Sequence, residues 1–358
     1  MKLFMSKYKY LALVSTLLIL FVACSKEDFK DGSPKTEPGS MTFSAIDKDS
    51  AASGSLITVK GEGLGDIRTI VFDKNNAPSG FYSTLNTESA ILFRVPDTAA
   101  GGDQQIILTN SAGKSLTIPF RVLAYATVNS VSNYNFTEGT ELTLTGLNLA
   151  DVSNVRLTGT TTDVEIISAE SKSLVVKMPA TTVNRATLDI TNGTGTKTTT
   201  QEFVNADKAY AIFTDSYQNG YGDGSWGDGG KIYTDVFKSG TASVGKTYAK
   251  GNWHLIGFAN WWPGTPNDNY KYLTVWIKGA STDQTLYFTS DKRPAGFGNA
   301  DQSTPLNIPA NVWTYFKLPV ADLNLWANGD AFNQIGFWIK GPEGQDETFY
   351  FDDFFLVK

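Results

Sequence analysis

A chain of 358 residues with a formal net charge of −6 and a pI near 5.0 lacks the basic excess that makes affinity for a phosphate backbone, which argues against nucleic acid as a partner. Its 41% hydrophobic and 18% charged residues are ordinary for folded material, its length calls for several domains, and 33 Gly with 13 Pro point to short strands joined by many turns. With Cys24 as its one cysteine, the chain holds neither a disulfide framework nor a cysteine-built metal site.

At the N-terminus Lys2, Lys7 and Lys9 precede an apolar run, Leu11 to Ala23, that is short for a membrane span. Residues 1–23 therefore read as a signal peptide. The run closes on Leu20-Phe21-Val22-Ala23-Cys24, which resembles a bacterial lipobox, and Ser25-Lys26-Glu27-Asp28 resembles the export signal of Bacteroidetes surface lipoproteins. The resemblance implies a lipid anchor at Cys24 and a position on the outer face of the cell outer membrane. Residues 24–40, with Gly32, Pro34, Pro38 and Gly39, are then a lipidated tether.

An internal repeat follows. Gly54, Gly61 and Leu64 recur 85 residues later as Gly139, Gly146 and Leu149, and Asp66-Ile67 recurs as Asp151-Val152. Pro96 and Asn110 recur as Pro179 and Asn192, with slightly shorter offsets of 83 and 82. Within each copy apolar residues alternate with polar ones, as in Leu56 to Gly61, and Gly, Pro and Asn punctuate the runs, which predicts a β-sandwich in each. The openings Gly54-Ser-Leu-Ile-Thr-Val-Lys-Gly61 and Gly139-Thr-Glu-Leu-Thr-Leu-Thr-Gly146 resemble the IPT/TIG family of immunoglobulin-like domains, placing one domain at 41–124 and another at 125–205. Neither copy has a Trp, His or Cys, so both read as spacers; Tyr82, Tyr125 and Tyr134 are the candidates for a second ligand contact.

From about Ala206 the aromatic density rises, and all eight tryptophans lie beyond residue 225. Strand-like runs at 272–278, 284–289, 312–318, 334–340 and 348–356 meet no competing helical period, so residues 206–358 read as a further all-β domain. Val275-Trp-Ile-Lys-Gly279, Ile335-Gly-Phe-Trp-Ile-Lys-Gly341 and Phe349-Tyr-Phe-Asp-Asp-Phe354 resemble a carbohydrate-binding jelly roll. The expected fold is thus all-β, with two Ig-like (IPT/TIG) sandwiches followed by a jelly-roll sandwich. The order of parts resembles surface glycan-binding lipoproteins of Bacteroidetes polysaccharide-utilisation systems. That resemblance implies a polysaccharide ligand of the xyloglucan, β-glucan or mannan class, with an outer-membrane glycan importer and a surface endo-glycanase as partners.

Pyranose rings offer a flat C–H face that stacks on aromatic rings. Large apolar residues on loops are the place to look for such contacts. Trp226, in the Gly- and Asp-rich segment Tyr221 to Gly230, and the Trp261-Trp262 pair ahead of a polar loop are the candidate glycan-binding rings; Arg293 and Phe297, in Asp291 to Asn299, would add a guanidinium and a further ring. Trp253 leans toward the core. Trp276, Trp313 and Trp338 lie in strand runs and read as core, with Trp276 and Trp338 on a concave sheet face as the alternative.

Catalysis finds little support. His254 is the one histidine, and no Gly-x-Ser-x-Gly elbow accompanies it. Asp352 and Asp353, as successive strand residues, should point to opposite faces and so make no catalytic carboxylate pair. No cofactor is expected beyond a possible structural calcium, for which Asp215 and Asp353 are the candidate ligands, with Asp235 an alternative to Asp215. The reading is a non-catalytic glycan binder, with a surface adhesin or a divergent glycosidase as alternatives.

Overall fold

The computed structural model describes residues 39–358 apart from 295, 299 and 300; the leader, Cys24 and nearly all of the tether lie outside the described residues. Among the described residues every regular element is a strand except three single-turn 3-10 segments, and no helix is long and apolar enough to cross a membrane. The all-β architecture follows from the period-two patterning. Leu56–Glu62 and Glu141–Leu147 show the same alternation of exposed and buried residues, one in each copy of the repeat.

Two compact units are present, one ending at Ala124 and one spanning Tyr125–Lys358. In the first, a three-stranded sheet (Thr42–Ile46, Leu56–Glu62, Ala90–Arg94) faces a five-stranded one built on Gly102–Asn110 and Ser115–Val122. Phe72 fills the space between them, meeting Phe93 and Phe120 edge-on at 6.4 and 5.8 Å. The second copy repeats these devices. A Cβ on Gly61 would strike the Thr42 carbonyl, and one on Gly146 the Thr127 carbonyl. Asp66 accepts the Ser111 amide as Asp151 accepts the Gly193 amide, both at 3.2 Å. The repeated residues are therefore the ones that shape turns and close backbone approaches.

The terminal sandwich packs two sheets face to face. One runs Lys231–Tyr233, Ser243–Tyr248, Glu347–Val357, Tyr272–Lys278, Trp313–Pro319, with Tyr210–Phe213 also paired to the long strand Glu347–Val357. The other runs Gly222–Asp223, Trp253–Ala259, Gln334–Lys340, Gln284–Ser290, Pro305–Ile308. Ile256, Phe258, Phe288, Phe337, Phe351 and Phe354 fill the space between them.

Within this unit the second Ig-like domain and the terminal sandwich share a closely packed joint. Tyr134 stacks on Tyr315 at 4.6 Å, and the Trp276 indole donates to the Asn133 side chain at 2.8 Å. Lys238 lies 4.1 Å over the Trp276 ring and donates to the Ser132 carbonyl. Glu202 bridges Arg185 and Lys317, and both cations lie over the Tyr272 ring. Two expectations are corrected here. Tyr134 is no surface ligand contact, and Trp276 lines no concave face, because each ring is covered by the neighbouring domain.

Asp352 and Asp353 are corrected as well. The pairing with Tyr272–Lys278 slips between Thr274 and Trp276, and Asp353 adopts φ 47°. This bulge breaks the alternation, so both carboxylates turn to one segment: Asp352 accepts the Lys238 and Ser239 amides at 2.7 and 3.2 Å, and Asp353 accepts the Ser239 hydroxyl at 2.7 Å. Asp353 also takes the Asn135 amide of the Ig-like domain at 3.1 Å.

Candidate functional site

Strand pairing decides which side chains share a face. Trp226 bridges to Leu255, Leu255 pairs with Trp338, and Trp338 pairs with Tyr287. Directly paired residues of antiparallel strands project on the same side. Their neighbours Ile256, Phe337, Leu286 and Phe288 belong to the core, so the row Trp226, Leu255, Trp338, Tyr287 crosses the outer face of the sheet.

On that face three rings form a stack. Trp253 lies on Trp338 with centroids 4.9 Å and planes 17° apart, and Tyr287, from the opposite neighbouring strand, lies on Trp338 at 4.9 Å and 29°. Trp338 is buried and donates its indole N–H to the Asp301 carbonyl at 3.0 Å, whereas Trp253 is 47% exposed. Beyond Tyr287 the face opens into a groove of about 540 Å³, bounded by Trp338, Tyr287, Thr285, Asn307, Lys340 and Glu343. Aromatic walls with amide, hydroxyl, ammonium and carboxylate groups beside them match what a ring with an apolar face and a hydroxyl rim requires.

Residues 291–294, 296–298 and 301–304 fold back over one end of this face. Phe297 is buried against Leu255 and Trp338, and the Gly298 amide donates to Thr289 at 2.9 Å. Gly298 has φ 74°, and a Cβ there would come within 2.9 Å of the Trp226 ring, so the close approach requires glycine. Arg293 is buried, donating to Ser303 and Thr304 at 2.9 and 2.7 Å and pairing with Asp301 at 3.4 Å. Burial pushes the Asp301 carboxyl up, but the Ser303 hydrogen bonds and the Arg293 charge outweigh it and hold the group below its usual range. Arg293 and Phe297 are therefore committed inside the segment, which corrects their reading as groups offered to a ligand.

Trp226 is 43% exposed and meets Phe297 edge-on at 5.9 Å. Asp223 braces its loop by accepting the Ser225 and Gly230 amides at 3.1 and 3.2 Å. From beneath, the buried Lys246 donates to the Trp226 carbonyl at 2.9 Å. Burial pushes the Lys246 ammonium below its ordinary range, against the pull of Asp223 and Asp228. Trp226 is thus a held ring at the edge of the face.

Trp261 and Trp262 stand elsewhere, two and three residues past the far end of strand Trp253–Ala259, and are 66% and 89% exposed. The structure brings Trp226 and Phe297 together and leaves the Trp261-Trp262 pair apart. Trp253, read from the sequence as leaning toward the core, is half exposed, and Tyr287 was not singled out from the sequence. The signal for Tyr287 was the alternation in Gln284–Ser290, where Leu286 and Phe288 face the core and Tyr287 the other side.

The calcium candidates Asp215 and Asp353 border one cavity of about 390 Å³, where both carboxylates take hydrogen bonds from the protein. Asp215 already accepts the Thr241 and Ala242 amides, Asp353 is occupied by Ser239 and Asn135, and no cluster of three or more His, Cys, Asp or Glu suited to an ion occurs among the described residues.

Residues 126–204 match the IPT/TIG domain family. No curated protein matches the sequence. Among solved structures, the chain is similar to a surface glycan-binding protein, PbSGBP-B, from Prevotella bryantii, at 16% identity and TM-score 0.54, covering 89% of this chain and 99% of that one. It is also similar to SGBP-B from a complex xyloglucan utilization locus in Bacteroides uniformis, at 14% identity and TM-score 0.42, covering 89% of this chain and all of that one. At 16% identity the likeness to the Prevotella bryantii protein is one of fold. The chain carries an IPT/TIG domain at 126–204, set in an all-β architecture that it shares with the Prevotella bryantii glycan-binding protein.

Proposed function

We propose that this protein is a non-catalytic, cell-surface polysaccharide-binding lipoprotein that captures a β-glycan of the xyloglucan, β-glucan or mannan class by aromatic stacking. The observation that carries the reading is the Trp253, Trp338, Tyr287 stack beside a polar-rimmed groove of about 540 Å³ on the outer sheet face. Trp253 offers an exposed ring at one side of the stack, and Tyr287 borders the groove at the other. The lipobox-like Cys24 would hold the chain at the outer membrane, where a glycan importer and an endo-glycanase are the proposed partners. The fold likeness to a surface glycan-binding protein supports the assignment.

Affinity electrophoresis and calorimetry against a panel of plant and host glycans test it. Retardation by at least one neutral β-glycan is expected, lost in Trp253→Ala and weakened in Tyr287→Ala. No retardation by any glycan sinks the proposal, and released reducing sugar moves the protein to the hydrolases.

A further inference from the structure

Trp261 and Trp262 are rings of unusual exposure on a braced turn. The Asn260 amide donates to the Asn333 carbonyl at 2.8 Å, and the Asn333 side chain donates to the Asn260 and Trp261 carbonyls at 3.0 and 3.3 Å. Thr265–Pro266 then pairs with Ala331–Phe332, which closes the turn. Two large apolar side chains held in water by a fixed backbone mark a contact surface.

The strand that leads into this turn ties the pair to the aromatic stack. Strand Trp253–Ala259 carries the exposed Trp253 of the stack at its start, runs beside Trp226 at Leu255, and ends two residues before Trp261. At about 3.3 Å per residue, the eight steps from Trp253 to Trp261 span roughly 26 Å. Beyond the pair the turn carries Asn267 and Asn269, exposed side chains with amide groups suited to hydroxyls, while Asn260 and Asn333 are committed to the brace itself. There is no Lys or Arg run there to favour an anionic membrane surface.

We propose that the Trp261-Trp262 turn is a second, remote contact for the same polysaccharide chain, engaged only when the bound chain is long enough to run from the groove past the end of strand Trp253–Ala259. The inference rests on the glycan-binding reading above. It makes the protein selective for polymer over short oligosaccharide, because a second contact reached through one ligand adds affinity by effective concentration.

Calorimetry on the whole soluble chain tests this, with a graded series of oligosaccharides and the polymer of whichever glycan the panel identifies. The wild type is expected to gain affinity in a step once the ligand passes a threshold length. In Trp261→Ala/Trp262→Ala the step disappears: short-oligosaccharide affinity is unchanged and polymer affinity falls several-fold to the same level. Trp261→Phe/Trp262→Phe, which keeps aromatic faces, restores most of the step. Unchanged polymer affinity in the alanine variant overturns the inference, as does an equal loss for short and long ligands, while both results leave the glycan-binding reading standing. Absence of binding at every length in the wild type overturns that reading instead, and the inference with it.

Discussion

Arg293 shows how burial reassigns a residue. As a loop arginine next to Pro294 and Gly296 it has the composition of a binding loop, yet its guanidinium is committed to Ser303, Thr304 and Asp301 and lies 5.5 Å over the Phe288 ring. Removing one partner of a buried ion pair leaves the other uncompensated, and Arg293→Ala is expected to destabilise the terminal sandwich by about 3 kcal/mol. Urea unfolding measures it. Because the same side chain pins the segment that carries Phe297 against Trp338, glycan affinity should fall only as far as that segment loosens. A variant of wild-type stability with abolished binding would return Arg293 to direct ligand contact. Phe297 teaches the same lesson: an aromatic flanked by glycines is as well suited to plug a sheet face as to decorate it.

At the scale of elements, the joint between the second Ig-like domain and the terminal sandwich holds the most perturbed carboxylates. Burial, then the neighbouring Asp353 charge, push the Asp352 carboxyl up to about 7, and burial raises Asp353 as well. For an acid whose folded value is raised above its ordinary 3.8, the stabilising contribution is complete below that value and is lost as pH rises through about 7. Asp353→Asn removes the like charge. Its expected result is a lower Asp352 titration point, read from carbon-13 aspartate signals, and a smaller drop in melting temperature between pH 5 and pH 8. An unmoved Asp352 titration would show that desolvation alone sets the value. The joint also explains why Tyr134 was misread. In the sequence it stands as a candidate ligand contact, one of the tyrosines of a spacer without Trp, and nothing local announces that Tyr315, 181 positions on, stacks on it.

For the whole molecule, the stack, the groove and the tryptophan pair all suit a neutral chain, while the protein itself carries a net charge of −6. Affinity for a neutral glycan should therefore stay nearly flat between low and high sodium chloride, as calorimetry at two ionic strengths would show. A steep fall with salt would point to an acidic glycan held by Lys340 and its neighbours. With the proposed anchor at Cys24, many copies on one surface would bind a single polymer through several weak contacts.

What the chain's residues determined by themselves is the part governed by local rules. Alternation placed the strands, the spacing of Gly61 and Gly146 marked a repeated sandwich, and the rise in aromatic content after residue 206 set the stretch that follows apart from the repeat. The tertiary structure alone decided which face of each strand meets water, another sheet or another domain. Trp338 and Trp276 sit in near-identical strand runs, yet one stands in an aromatic stack on an outer sheet face and the other is sealed beneath the Ig-like domain. Period-two patterning says that two faces exist; only the contacts between distant segments say what covers each one.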